Sequence, residues 1–321
     1  MREAFLDESS STAAGQSVMI VAGFVSEKER WALFEAEWRK KVLQPYKITH
    51  LHSKQLRSHN DKLYRHLDLD QREALLSTAV ETIATHVESA FAIYMRPYDW
   101  QHETTPEERR RWGSCYGVCT ELLLVAMSEN KYGGPNPERV SIFIEDGHAN
   151  LGDALKRIRY YQQDTEPPEW PAMIEEANFS NVERIRLSAM RIGEIGSVLK
   201  IASCAAQASD LLAYLVGYVF SGHQTPLFDG VLDHLLSLQP VVSTGYGPSS
   251  VKELTDALRE VERTRKGQRE SLFSTKMELR QRGMKAYELP WGLVIDKSPG
   301  QDALSEQLRL QVNEILEKFK G

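Results

Sequence analysis

The sequence has no apolar run approaching the roughly 18 residues that a membrane-crossing helix needs, so no membrane-spanning segment is expected. Its start, Met1-Arg2-Glu3 running into Asp7-Glu8, lacks the apolar centre of a secretion signal, and a cytoplasmic location is expected. Cysteine is scarce: three residues with no paired spacing fit a reducing compartment and exclude a disulfide framework. Cys115 and Cys119 would share a helix face, but two thiols without further ligands do not make a structural zinc site, and they read as small core residues. A basic excess is also missing. Lys and Arg number 39 against 45 Asp and Glu, a formal charge of -6, so there is no global signature of a nucleic-acid binder. The common phosphate and hydrolase motifs are absent too: no P-loop, no G-x-G-x-x-G after a strand, no H-E-x-x-H and no G-x-S-x-G. Ser9 to Ser11 offer hydroxyls, but no triad can be read from spacing.

What remains is an ordinary globular composition, 41% hydrophobic and 26% charged, over 321 residues. That length suits two domains or one elaborated α/β domain. Residues 3–9 (Glu-Ala-Phe-Leu-Asp-Glu-Ser) read as a strand that runs into two adjacent acids, Asp7 and Glu8. A strand end is a rigid mount for a carboxylate in a cleft, although an edge strand entering a solvated turn would look the same. Val18 to Val25 reads as a second, antiparallel strand. Ser26 with Glu29 has the form of a capping box, and Trp31, Phe34, Trp38 and Val42 would form the apolar face of the helix it opens.

His50, His52 and Lys54 alternate, which would place all three on one side of an extended segment. Two such histidines can bind zinc, but no carboxylate or cysteine close in sequence completes a site, so lining a cleft as phosphate or substrate contacts is the other reading. A helix is expected over 70–86, a strand over 87–95, and one long helix from Pro106 to about Lys131, stopped by Tyr132-Gly133-Gly134-Pro135. Arg109 to Arg111 read as a solvated basic face. Arg139 to Asp146 then repeats the opening pattern, an apolar strand ending in Glu145-Asp146, with Gly147-His148 after it and Asn150 placed to cap a helix.

Val182 to Ser188 alternates as a half-exposed strand, and Ile201 to Phe220 is apolar enough for a largely buried helix. Asp210 lies within that helix, with Gln207 on the same side. An ionised aspartate is seldom buried without a partner. It is either a metal ligand, paired with Lys200 or an arginine, or exposed at a bundle edge. Beyond Gly222 the reading is a short helix over 226–237, a Gly/Ser/Pro-rich loop over 241–250 and an amphipathic helix over 302–318. Between Arg259 and Lys285 nine Lys or Arg face four Glu, a local balance of +5 that leaves about -11 elsewhere.

Asp7-Glu8, Glu145-Asp146 and Asp210 could therefore form an oxygen-donor set for a hard cation such as Mg²⁺ or Mn²⁺. A pair of such ions about 4 Å apart can cleave a phosphodiester. The order Asp7-Glu8-Ser9, Gly23-Phe24-Val25, His52-Ser53, Glu145, then Gln207-Ala208-Ser209-Asp210-Leu211-Leu212-Ala213 resembles the bacterial and phage group catalogued as domain of unknown function 3800. The resemblance spans about residues 3–220. Where that group reads Asp-Glu-Ser-Gly and Gln-x-Ala-Asp, this chain has Ser10 and Ser209, and Glu145 stands where Asp is common.

The resemblance implies an α/β, RNase H-like mixed sheet flanked by helices over residues 1–221; residues 222–321 lie outside it and are expected as a mostly helical C-terminal extension packed on the core. It implies Mg²⁺- or Mn²⁺-dependent hydrolysis of DNA or RNA, with Asp7, Glu145 and Asp210 as ligands. Glu8 would ligate or orient, and Asp146 would be the substitute middle acid. Gln207 would hold a carboxylate or phosphate oxygen, and His52, Lys54 and His148 would contact phosphate or move protons. Strand alternation lets only one of Glu145 and Asp146 reach the site, and turns Glu8 away from Asp7. Two further readings stand beside a nuclease: a nucleic-acid- or protein-binding module without catalysis, and a hydrolase of small phosphoesters. The C-terminal helices offer a route to a homodimer.

Overall fold

The computed structural model describes residues 1–13, 16–58, 60–127, 132, 139–161, 191–221, 226–228, 230–238, 241–246, 249–256, 258–259, 286–289 and 292–295. The chain divides into two compact units, one of Met1–Gln162 with Met190–Pro248, the other of Gln163–Ala189 with Ser249–Gly321.

The first unit is built on a mixed six-stranded sheet. Strands β1 (Arg2–Ala13) and β2 (Gln16–Glu27) form a long antiparallel hairpin, and β3 (Ser89–Met95) pairs antiparallel to β2. On the other side of β1, β4 (Arg139–Glu145) is parallel to it, and β5 (Arg191–Val198) is parallel to β4. A sixth strand, β6 (Val241–Tyr246), adds parallel to β3, giving the order β5-β4-β1-β2-β3-β6. The apolar runs of β1 to β4 become central strands because both of their faces are covered.

One face packs against α1 (Lys28–Trp38), α3 (Leu69–His86) and α8 (Cys204–Ser221). Trp31, Phe34, Trp38 and Val42 form the stripe expected of them, continued by a π-helical turn over Arg39–Leu43. Between α1 and α3 lies the four-residue helix α2 (Ser53–Leu56). The connection from β3 to β4 runs through α4 (Pro97–Glu103), α5 (Pro106–Trp112) and α6 (Cys115–Met127). Helix α6 packs against β2 and β3, and α7 (Leu151–Tyr161) packs against α6 and β5. After α8, α9 (Val231–Leu238) leads into β6.

Several expectations change. Ser26 does not cap α1; Glu27 is its N-cap, and the Ser26 hydroxyl donates instead to the His86 carbonyl at 2.8 Å. Capping boxes form instead at α3, where Asp68 and Gln71 cap each other's backbone, and at α5, where Thr105 and Glu108 do the same. The long helix expected from Pro106 is two. Gly113 has φ 89°, and a Cβ there would meet Arg157 Nε at 2.6 Å, so the chain turns before α6 begins. Val241–Tyr246, expected as loop, is an edge strand, so the sheet continues past residue 221, where the core domain was expected to end. Cys115, Cys119 and Cys204 are free and buried.

In the second unit, residues 249–256 are helical, with Val251 and Thr255 buried. Strands β7 (Ala286–Leu289) and β8 (Gly292–Ile295) pair antiparallel. The expected strand over 182–188, nearly all of the basic tract over 259–285 and the helix over 302–318 lie outside the described residues, as does most of the stretch on which the homodimer expectation rests. Among the described residues no helix is long and apolar enough to cross a membrane.

Candidate metal centre

The site lies where the parallel strands end. Phe5 stacks on Phe143 across the β1–β4 pair, with ring centroids 5.1 Å apart, on the face that α8 covers. Two residues further on, alternation brings Asp7 and Glu145 to that same face. Register with β4 ends at Leu6 opposite Ile144, while β1 runs on beside β2 as far as Ala13. Asp7 is thus inside the hairpin but just beyond its parallel neighbour, and it is 1% exposed.

Glu8 leaves β1 on the opposite face, where it feels the Tyr116 hydroxyl of α6. Its carboxylate nevertheless returns: one oxygen each from Asp7, Glu8 and Glu145 lie within 4.8 Å of one another. Alternation alone did not anticipate this, because a glutamate is long enough to come round an edge that β4 has vacated. Glu8 Oε2 is buried with no hydrogen-bond partner, and so is the Tyr116 hydroxyl. Asp7 Oδ1 accepts from the Glu8 amide at 2.7 Å. Asp146 is exposed and outside this group; its amide donates to the Val198 carbonyl at 2.8 Å, which ties the end of β4 to β5.

Asp210 reaches the site through a lysine. Lys200 Nζ is 3.0 Å from Asp7 Oδ2 and 2.8 Å from Asp210 Oδ1. The pairing of Asp210 with Lys200, one of the readings open from the sequence, is present, and Lys200 joins Asp7 to it as well. Asp210 Oδ2 accepts from the Ser53 amide at 2.7 Å. Lys200 follows directly on β5, whose last residue, Val198, is paired with Glu145. Asp7, expected at a strand end, sits in the middle of β1 where its parallel pairing with β4 stops; with Glu145 at the end of β4 and Lys200 just after β5 it comes to one level, and α8 supplies Asp210.

Gln207 does not hold a carboxylate. Its Oε1 accepts from Trp38 Nε1 at 2.9 Å and from the Leu51 amide at 3.0 Å, and its Nε2 donates to the Lys200 carbonyl at 3.0 Å. It fastens three segments around the site and fixes the turn that carries Lys200. Ser209 Oγ donates to the Phe5 carbonyl at 2.7 Å, holding α8 against β1 at the residue before Asp210.

His52 is the N-cap of α2, its Nδ1 accepting from the Gln55 amide at 3.3 Å. The extended alternation expected of His50, His52 and Lys54 therefore ends at His52; Lys54 lies on the short helix and is exposed. The segment is set by Arg72 of α3, a buried guanidinium that donates to the carbonyls of Leu56, Ser58, Tyr64 and Leu67. His148 packs against Tyr116 with tilted rings, centroids 4.0 Å apart, and its Nδ1 accepts from the Asn150 amide at 3.0 Å. Burial lowers the pKa of both His52 and His148, so each ring is neutral at neutral pH, with its proton on Nε2.

The electrostatics suit a cation-binding site. Burial raises the pKa of Asp7 well above the ordinary range, with Lys200 opposing the shift and Asp210 and Glu8 adding to it. Burial and then Glu145 raise Glu8, and burial raises Glu145 against the pull of Lys200. Burial disfavours the Lys200 ammonium, but Asp210 and Asp7 outweigh it and the net shift is upward. The Lys200 ammonium thus contacts two carboxylates, Asp7 and Asp210, while Glu8 and Glu145 gather beside Asp7. An all-oxygen donor set that includes two buried oxygens without a hydrogen bond, Asp7 Oδ2 and Glu8 Oε2, suits a hard divalent ion on the Asp7-Glu8-Glu145 side.

Sequence reasoning missed Tyr116 altogether and β5 as a strand. The signal for Tyr116 was a polar-tipped aromatic in an apolar helix, which is ordinary by itself. No family model matches the chain, and no curated protein matches it significantly. Among solved structures it is similar to the ribonuclease H2 from Pyrococcus horikoshii OT3, with a TM-score of 0.31 and 11% identity over 98% of this chain and 100% of that one. A similarity of that size carries no argument about activity.

Proposed function

We propose that the protein is a divalent-metal-dependent nuclease of RNase H-like architecture, and that the resemblance to the domain-of-unknown-function 3800 group reflects common ancestry. The observation that carries the reading is the meeting of Asp7, Glu8 and Glu145 oxygens within 4.8 Å where the parallel pairing of β1 and β4 stops. The sheet supports it, with three antiparallel strands followed by two parallel to the first.

A bound Mg²⁺ or Mn²⁺ would neutralise the clustered acids and lower the pKa of a coordinated water to supply a nucleophile. Asp7, Glu8 and Glu145 would hold it. Lys200 would face the substrate phosphate from the Asp7 side and stabilise charge that builds up on its oxygens. With Nδ1 accepting from a backbone amide, the neutral rings of His148 and His52 carry their proton on Nε2 and would donate it, to a phosphate oxygen or to the leaving group. Glu145 beside Asp7 weighs against a purely binding module, which has no use for gathered, unneutralised acids.

The test is cleavage of single- and double-stranded DNA, RNA and RNA–DNA hybrid by the full chain in Mn²⁺, Mg²⁺ and EDTA. Expected is cutting in metal only, lost by at least a hundredfold in Asp7→Asn and Glu145→Gln proteins that keep their circular dichroism. Failure to cut any of these polymers while hydrolysing a small phosphoester such as bis-p-nitrophenyl phosphate would replace this reading with the small-substrate one.

A further inference from the structure

We propose that the Lys200 ammonium is a built-in cation filling the Asp7–Asp210 side of the cluster, so that the site takes one divalent ion rather than two. The inference rests on the metal-site reading above and adds a stoichiometry and a residue to it. Lys200 Nζ lies 3.0 Å from Asp7 Oδ2 and 2.8 Å from Asp210 Oδ1, bridging the two acids. A second Mg²⁺ shared by those carboxylates would need oxygens at about 2.0–2.1 Å, in space the ammonium holds. Two cations so close repel each other as well.

Lys200 is also placed by a framework. Its carbonyl accepts from Gln207, which is itself held by Trp38 and the Leu51 amide, and the amides of Ala202 and Ser203 close a turn on the Leu199 carbonyl. The side chain is 12% exposed, although its neighbours Leu199 and Ile201 are 55% and 59% exposed. The chain thus turns the lysine inward and leaves the flanking apolar residues outside. Asp210 has no oxygen to spare, since Oδ1 meets Lys200 and Oδ2 accepts from Ser53. Two oxygens of the cluster are buried without a hydrogen bond: Asp7 Oδ2, whose one close partner is the Lys200 ammonium of the ion pair, and Glu8 Oε2, which has no such pairing. A fixed ammonium so placed supplies positive charge to a phosphate without any metal exchange.

The experiment counts Mn²⁺ bound per full-length chain, by calorimetry and by the loss of the free-Mn²⁺ paramagnetic resonance signal, after treatment with EDTA. Wild type is expected to bind one ion, Lys200→Arg one, and Lys200→Met two, because that change frees the Asp7–Asp210 pair. Should Lys200→Met not fold, Lys200→Gln takes its place. Two ions in wild type would mean that the lysine swings away from metal, and overturns the inference while leaving the nuclease reading standing. One ion in the neutral variant also overturns it, since Lys200 would not then set the count. No ion in any of the proteins overturns the metal-site reading itself.

Discussion

Glu8→Gln is expected to stabilise the metal-free protein and destabilise the metal-loaded one. The carboxylate oxygens of Asp7, Glu8 and Glu145 lie within 4.8 Å of each other. Two full charges at that separation repel by about 3.5 kcal/mol at an effective dielectric of about 20, and by about 0.9 kcal/mol in bulk water. Protonation of the cluster and the nearby Lys200 reduce this, so the gain from neutralising Glu8 should be about 2 kcal/mol. For an ordered unit of this size that is roughly 4–8 °C in Tm. The pH dependence follows from the raised pKa of Glu8. Between the ordinary carboxylate value and the raised one, the folded state binds more protons than the unfolded, so wild-type stability falls as pH rises through that window. The variant lacks that contribution, so its advantage should be large at pH 8 and vanish near pH 4. With Mn²⁺ at a hundredfold excess over Kd, wild type gains about 2.7 kcal/mol by mass action. The variant, short of one ligand, gains far less, and the order inverts. Differential scanning fluorimetry at pH 4 to 8, in EDTA and in Mn²⁺, measures all of this. A variant less stable than wild type in EDTA at pH 8 would refute the reasoning, because Glu8 would then be satisfied inside the fold.

Gln207→Leu should cost about 2–4 kcal/mol in urea unfolding, since the Trp38 indole, the Leu51 amide and the Lys200 carbonyl all lose a buried partner. Arg72→Met should cost about 3 kcal/mol or more and expose residues 51–67 to limited proteolysis, because four carbonyls lose their donor. Tyr116→Phe removes a buried hydroxyl that has no partner, so stability should hold within about 1 kcal/mol or rise, while cleavage falls; a large stability loss would show that the hydroxyl is bonded in the folded protein. Gly23→Val should prevent folding, since even a Cβ at that position comes within 2.2 Å of the Phe5 carbonyl oxygen; soluble, cooperative unfolding by this variant contradicts the packing described.

The acids were legible because each ends an apolar run, and Asp210 because a charge in an apolar helix demands an explanation. What joins them was less so. Lys200 was open from the sequence as a partner for Asp210, but nothing local marked its contact with Asp7, which only the fold brings about. The strand β5, Arg-Ile-Gly-Glu-Ile-Gly-Ser-Val, carries two glycines and little apolar pattern because it is an edge strand with one paired side. Gln207 was noticed for its spacing from Asp210, but its partners, Trp38 and Leu51, are more than 150 residues away. The split at Gly113 was hidden because Thr105-Pro106-Glu107-Glu108 is a strong helix start and the stretch after Gly113 is also helical.

The bridge through Lys200 has a consequence for how the chain is made. The β1–β2 hairpin leaves the ribosome first and contains Asp7, yet the ammonium that meets Asp7 comes 193 positions later. The cost of closing so large a loop grows only logarithmically with length, so distance is no thermodynamic bar. It does set an order of events. Until β5 and the first turns of α8 have been synthesised, Asp7 has no countercharge, and the hairpin must keep that end in water. The centre is therefore expected to close last. Nascent chains arrested before residue 200 should leave the β1 end open to protease, whereas chains released after α8 should protect it.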